Sequence, residues 1–119
     1  MKRKTESWPE DLKLAFKKLQ AFNDSDEIAH YFKLLDIKGD PGIVSSCPIA
    51  MYIWYNCDDQ LYDVMVNDSS ISFLFADEKD DAGNSPYHEI SCTSAMSSFI
   101  GLFDNHCYKE LEKNYGKDG

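Results

Sequence analysis

Residues Leu61–Phe75, which read LYDVMVNDSSISFLF, decide the β part of the fold because they hold two apolar runs around a polar turn. Leu61–Val66 and Ile71–Phe75 are rich in Val, Ile, Phe and Tyr, the residue types that fit a pleated, half-buried surface. Asn67-Asp68-Ser69-Ser70 has turn composition, so the stretch predicts an antiparallel β-hairpin. Its inner face is predicted to combine Ile71, Phe73 and Phe75 with Tyr62, Val64 and Val66.

Two amphipathic helices are predicted before the hairpin. Ser7-Trp8-Pro9-Glu10 is typical of a helix start, with Ser7 as the cap and Pro9 in the first turn. Asp24-Ser25-Asp26-Glu27 starts a second helix, and Gly39 is predicted to stop it. Apolar residues follow at helical spacing, namely Trp8, Leu12, Ala15, Phe16, Leu19 and Phe22, then Ile28, Tyr31, Phe32 and Leu35. The short link between the two helices predicts an antiparallel helical hairpin.

The segment Ile49–Tyr55, IAMYIWY, is apolar on every side. Such a run is either a buried helix of two turns or a central strand, and periodicity alone does not separate the two. Ser45-Ser46-Cys47-Pro48 repeats the order of a cap followed by an early proline, which favours the helix.

The chain after the hairpin predicts a polar loop, a third strand and two more helices. Ala76–Pro86 is the loop, and Tyr87–Cys92 is predicted to pair on the edge of the hairpin. Thr93 or Ser94 caps the next helix, and Tyr108–Tyr115 forms a short last one. Met96, Phe99, Ile100 and Phe103 give the first of these helices its apolar face.

The predicted fold is therefore α+β, with an N-terminal helical hairpin, a small antiparallel sheet and C-terminal helices packed on one sheet face. The chain of 119 residues has the size of one domain, so residues 1–119 are predicted to form a single globular unit. Residues 1–6 are predicted to be a flexible basic tail, and residues 116–119 a flexible end.

The formal net charge of −9 restricts the classes of partner. Binding to duplex nucleic acid or to an anionic membrane depends on neutralising negative charge, so neither partner is expected. The basic start MKRKTESWPEDL is not followed by the apolar region of a secretory signal, and no segment is long and apolar enough to span a bilayer. A cytoplasmic location is therefore expected, with the four cysteines as thiols.

The acidic charge is concentrated around the hairpin. Residues 56–90 contain nine acidic residues and only one basic residue, Lys79. A field of one sign attracts a partner of the opposite sign and speeds its association, whereas acidic charge that serves only solubility is the alternative interpretation. The predicted partner-binding residues are Asp58, Asp59, Asp63, Asp68, Asp77, Glu78, Asp80, Asp81, Tyr62 and Tyr87.

Metal and cofactor binding are not predicted. Structural zinc sites usually take cysteines in close pairs, whereas Cys47, Cys57, Cys92 and Cys107 are widely spaced. His30 and His88 each stand alone in a predicted element, and surface exposure is expected for them. Asp77, Lys79, Asp81 and Gly83 fail the calcium-loop pattern, because a lysine occupies a ligand position.

Catalysis is not predicted, although one residue offers an alternative. Cys47 at a helix start would lie where the helix dipole favours a thiolate. No histidine lies close to Cys47 in sequence to act as a base, and burial against the aromatic run is the simpler interpretation. No nucleotide-binding, nucleophile-elbow or zinc-protease motif occurs in the chain.

The sequence thus predicts a small acidic, non-catalytic protein-binding module that occupies a basic surface on a larger protein. An inhibitor, an immunity protein or an anti-defence protein, of phage or bacterial origin, has this character. The alternatives are a small enzyme that uses Cys47 and a structural subunit of a larger assembly.

Overall fold

The computed structural model describes residues 8–57, 59–78 and 87–113, and the statements below refer to these residues. Its helices are α1 (Glu10–Gln20), α2 (Ser25–Leu35), α3 (Pro48–Cys57) and α4 (Ser94–Asp104); its strands are β1 (Leu61–Val66), β2 (Ser70–Phe75) and β3 (His88–Ser91). Short 3-10 turns follow at Ala76–Glu78 and Lys109–Leu111. The predicted α+β fold is confirmed. Residues 1–6 and 116–119, predicted to be flexible, lie outside the described ranges.

Side-chain caps define the starts of two helices as the sequence predicts. The Asp24 carboxylate accepts a hydrogen bond from the Glu27 backbone N–H at 2.9 Å at the start of α2. The Thr93 hydroxyl accepts from the Met96 backbone N–H at 3.2 Å at the start of α4. Each cap satisfies a backbone donor that the first helical turn leaves unpaired.

The structure corrects two predicted helix ends. Pro9 precedes α1 instead of lying in its first turn, because its extended ψ of 143° places it before the helix. α2 ends at Leu35, since Asp36 adopts the left-handed conformation with φ 56°, so the stop predicted at Gly39 is wrong. Gly39 instead runs beside the chain at Ser46–Pro48, where a Cβ atom would lie 2.7 Å from the Pro48 nitrogen.

The apolar segment around Ile49 forms helix α3. Pro48 is its first residue, a position where the missing N–H is tolerated. Ile49 and Ile53 are fully buried, and the helix lies against both α1 and β1. The central strand position, which was the alternative for this segment, belongs to β2.

The sheet has the order β1-β2-β3 with antiparallel pairing throughout. Val64 pairs with Phe73, and Phe73 pairs with His88 on the other side. The register shifts between Leu61 and Asp63, so Tyr62 leaves the alternation and its side chain is 50% exposed. The prediction that Tyr62 shares the inner face with Val64 and Val66 is therefore wrong, and Leu61 joins the core instead.

The helices pack on one face of the sheet and leave the opposite face outward. The inner face contributes Val64, Val66, Ile71, Phe73 and Phe75 to the core. α4 reaches the core through Phe99, whose ring lies 5.6 Å from that of Phe32 in α2. No helix in the described ranges has the length and apolarity that a bilayer crossing needs.

Candidate protein-binding surface

A row of three residues crosses the outer face of the sheet near the open end of the hairpin. Asp63 of β1 pairs with Leu74 of β2, and Tyr87 is the residue beyond the Phe73–His88 pair on the other side. The Tyr87 hydroxyl donates a hydrogen bond to Asp63 Oδ2 at 3.0 Å. Because this bond joins the two edge strands, the Tyr87 side chain crosses Leu74, which is only 2% exposed although it lies outside the main core cluster.

Tyr62 completes this group of side chains. The hydrogen bond to Asp63 is the largest cause that raises the pKa of Tyr87, and the nearby Tyr62 hydroxyl raises that pKa further. Tyr62 is 50% exposed and Tyr87 40% exposed, so both rings present apolar area to solvent. Glu89, which pairs with Ser72 one row further along, adds a second carboxylate. We call Tyr62, Asp63, Tyr87 and Glu89 the outer-face patch.

Two further predicted residues lie at the open end of the hairpin. Asp59 precedes β1 and Asp77 follows β2, and the strand ends between them are joined by the Leu61–Phe75 pair. Both aspartates line a small cleft of about 230 Å³ together with Gln60 and Pro9. The structure thus places Asp59 and Asp77 together at the open end of the hairpin, in a cleft that the inner-face residue Phe75 also lines.

Glu78 has a structural partner that the sequence analysis missed. Its carboxylate lies 2.7 Å from Nε2 of His88, and the two side chains are only 9% and 4% exposed. The His88 ring stacks on Phe73 at 5.4 Å and meets Trp8 edge-on at 5.8 Å. The expectation that His88 is a surface imidazole is therefore wrong. Side chains alternate between the two faces of a strand, so His88 and the partly buried Ile90 both lie on the inner face of β3.

The remaining predicted residues lie elsewhere. Asp68 occupies the turn between β1 and β2, at the opposite end of the hairpin from Asp59 and Asp77. Its backbone carbonyl accepts a hydrogen bond from the Ser97 hydroxyl, which ties the turn to α4. Asp58, Asp80 and Asp81 lie outside the described residues.

The described part of the hairpin and β3 carries charge of one sign only. Residues 59–78 and 87–92 contain no lysine or arginine. Their acidic residues are Asp59, Asp63, Asp68, Asp77, Glu78 and Glu89. Since the His88–Glu78 pair is buried, the other five carboxylates are the acidic groups of these segments that lie nearer the surface.

Cys47 lies immediately before α3, as the sequence predicts, but it is buried with 4% exposure. Burial is the largest effect on this thiol and raises its pKa to about 12, although backbone N–H groups of Ala50 and Ile49 act in the opposite direction. Asp104 raises the pKa further. The thiolate needed for nucleophilic attack is therefore scarce at neutral pH, which weighs against the alternative of a Cys47 enzyme.

All four cysteines are free thiols, and Cys107 is the exposed one. In the described part of the chain, no three His, Cys, Asp or Glu side chains come together in an arrangement that could hold a metal ion.

Comparison of the chain with protein-family models, with curated proteins and with solved structures found no match.

Proposed function

We propose that this protein is a non-catalytic binding module that occupies a basic surface on a larger protein, in the manner of an inhibitor, an immunity protein or an anti-defence protein. The observation that carries the proposal is the outer-face patch. It combines two half-exposed tyrosine rings with carboxylates on a sheet face on which no helix packs among the described residues.

The chemistry of the patch suits a cationic partner. Tyrosine supplies a large contact area with few rotatable bonds, and exposed tyrosines are common at the centres of protein interfaces. The hydrogen bond from Tyr87 to Asp63 holds one ring in place before binding, which lowers the entropy lost on association. The carboxylates of Asp63 and Glu89 in the patch select against acidic partners and steer basic ones.

A two-stage experiment tests this function. Tagged protein captures its partner from a native host extract, and mass spectrometry identifies it. Association of the purified partner is then measured at about 50 mM and about 500 mM salt for the wild type and for Asp63→Asn, Tyr62→Ala and Tyr87→Ala. We expect Asp63→Asn to slow association mainly at low salt, and the tyrosine variants to speed dissociation at both salt concentrations.

Asp36→Asn is the matched control, because it removes the same charge from the C-terminal end of α2, outside the hairpin. Asp36 has φ 56°, a conformation that asparagine adopts readily, so Asp36→Asn should leave the fold unaffected. Equal kinetics for the patch variants and for Asp36→Asn would show that the outer-face patch does not contact the partner.

A further inference from the structure

A second cleft lies at the turn end of the hairpin, away from the outer-face patch. It has a volume of about 330 Å³ and is enclosed by the loop after α2, the β1–β2 turn and α4. This volume falls at the lower end of the range of about 300–1,000 Å³ for ligand pockets. We call it the Asp104 cleft; the lining residues used below are Ile43, Val44, Asp68, Ile100, Gly101 and Asp104.

Hydrogen bonds connect the three walls of the Asp104 cleft, so its shape is built into the fold. The Gly42 backbone N–H donates to Asp104 Oδ1 at 2.9 Å and joins the loop to α4. The Val66 backbone N–H donates to the Val44 carbonyl at 2.8 Å and joins the loop to β1. The bond from the Ser97 hydroxyl to the Asp68 carbonyl joins α4 to the turn.

The Asp104 cleft has an acidic polar side and an apolar side. Its only charged lining residues are Asp68 and Asp104, both exposed, and no lysine, arginine or histidine lines it among the described residues. Ile43 and Val44 form a rim that is 49% and 47% exposed, and the buried Ile100 lies at its base. Such a site fits a side chain that has an apolar stem and a cationic head.

Gly101 leaves the α4 wall of the Asp104 cleft open. It lies inside α4, where glycine destabilises a helix by about 1 kcal/mol relative to alanine. A Cβ atom at Gly101 would meet no atom within 4 Å outside its own stretch of helix, so packing of the fold does not require glycine there. Its missing side chain instead widens the cleft.

We propose that the Asp104 cleft receives an arginine side chain of the partner protein. A guanidinium group suits the site because its planar fork can donate hydrogen bonds to the Asp104 carboxylate, which the Gly42 N–H holds in place. The negative charge of Asp68 also favours the positive charge of the guanidinium. The aliphatic part of the arginine lies against Ile43, Val44 and the open backbone of Gly101. This inference rests on the proposed function, since it specifies one anchor of the cationic partner.

The test uses the full chain labelled with ¹⁵N and an end-blocked Gly-Arg-Gly peptide as the probe. The matched control probe is the same peptide with citrulline, the neutral isostere of arginine. We expect saturable amide shifts at Gly42, Gly101 and Asp104 with the arginine peptide. Binding of the citrulline peptide should be weaker by about tenfold, because its neutral N–H groups donate without the positive charge of arginine.

Two variants locate the binding. Asp104→Asn keeps the acceptor for Gly42 but removes the charge, and it should weaken arginine-peptide binding by about tenfold. Gly101→Leu places a side chain in the open space and should abolish the binding, while the spectrum of the remainder of the protein stays native. Asp36→Asn, which removes a charge away from the cleft, should leave the affinity unchanged.

Absence of cleft shifts, or equal binding of the arginine and citrulline peptides, overturns the inference. So does arginine-peptide binding that Gly101→Leu and Asp104→Asn leave intact. Amide shifts confined to Tyr62, Asp63 and Tyr87 would show that the arginine peptide binds at the outer-face patch and not in the Asp104 cleft. That result contradicts this inference but not the proposed function. The function itself fails only through the kinetics of the outer-face variants.

Discussion

Tyr87 shows how one side chain links the stability of the sheet to its outer surface. Its hydroxyl bonds to Asp63 on the far edge strand, and its ring crosses Leu74 on the central strand. Leu74 is only 2% exposed although it lies outside the main core cluster. The ring and the hydroxyl therefore make separable contributions to stability.

We expect Tyr87→Phe to lower the free energy of unfolding by less than about 1 kcal/mol, because the lost hydrogen bond is exposed to solvent. Tyr87→Ala should cost about 1–2 kcal/mol, since it also uncovers Leu74. Urea denaturation measures both changes. Tyr55→Ala is the control, because Tyr55 is 69% exposed on α3 and its removal should change stability by less than about 0.5 kcal/mol. Equal losses for Tyr87→Phe and Tyr87→Ala would contradict the shielding of Leu74.

The cysteines differ in burial, and their reactivity should follow that difference. Burial raises the pKa of Cys47 to about 12 and that of Cys92 to about 11, whereas Cys107 is exposed. A thiol reagent added to the folded protein near neutral pH should therefore modify Cys107 first and Cys47 only after unfolding. Mass spectrometry of timed digests identifies the modified residue. Rapid modification of Cys47 in folded protein would revive the alternative of a cysteine enzyme.

At the scale of the elements, the sequence predicts most of the fold because local signals agree with the packing. The caps at Asp24 and Thr93 and the two runs of the hairpin all appear where their composition places them. Segment Pro48–Cys57 was ambiguous because it is apolar on all sides, and its proline start was the informative signal. The composition does not predict the bulge beside Tyr62, because a register shift at the start of β1 depends on how the chain enters the hairpin.

The candidate sites were less predictable than the elements. The sequence groups Tyr62, Asp63 and Tyr87 only because they lie in or beside the acidic hairpin, and their row across Leu74 requires the observed register. The Asp104 cleft is built from three segments far apart in the chain, so no local pattern indicates it. The His88–Glu78 pair joins β3 to the turn after β2, so no local sequence pattern indicates it either.

Two glycines give a sharp test of element packing. Gly101→Ala should raise the free energy of unfolding by about 0.5–1 kcal/mol, because its Cβ enters open space on a helix. Gly39→Ala should lower that free energy by about 1–3 kcal/mol, because its Cβ would overlap the Ser46 carbonyl and lie 2.8 Å from the Cys47 carbonyl carbon. Thermal and urea unfolding measure both variants. Destabilisation by Gly101→Ala would show that the space beside Gly101 on α4 is too small for a methyl group.

At the scale of the whole molecule, the described lysines lie apart from the acidic hairpin, although acidic residues also occur elsewhere in the fold. The described lysines lie outside the sheet, on α1, on α2 and in the segments after α2 and α4; they are Lys13, Lys17, Lys18, Lys33, Lys38, Lys109 and Lys113. Some of them pair with acids there, as Lys33 does with Glu110 and Lys113 with Asp40. The described parts of the hairpin and of β3 contain no lysine or arginine, so carboxylates supply the formal charge of these segments.

Stability should also decrease in alkaline solution, because several neutral acids are buried. Burial is the first cause that raises the pKa of Cys47, of Cys92 and of Tyr52, whose hydroxyl also lies 3.4 Å from that of Tyr31. The ordinary pKa of a cysteine is 9.0, so above this pH the unfolded chain loses protons that the folded protein keeps. The unfolded state then binds fewer protons, and the free energy of unfolding falls as the pH rises.

We expect the urea midpoint, measured with a reducing agent present, to fall from about pH 9 toward pH 12 for the wild type. Cys47→Ser should reduce the slope of this fall, because it removes the thiol with a pKa of about 12. Cys107→Ser removes an exposed thiol and serves as the matched control that keeps the wild-type slope. The same pH dependence of the urea midpoint in Cys47→Ser and in Cys107→Ser would contradict this prediction. It would show that folding does not raise the pKa of the Cys47 thiol, and hence that this thiol is more accessible to water than its packing before α3 indicates.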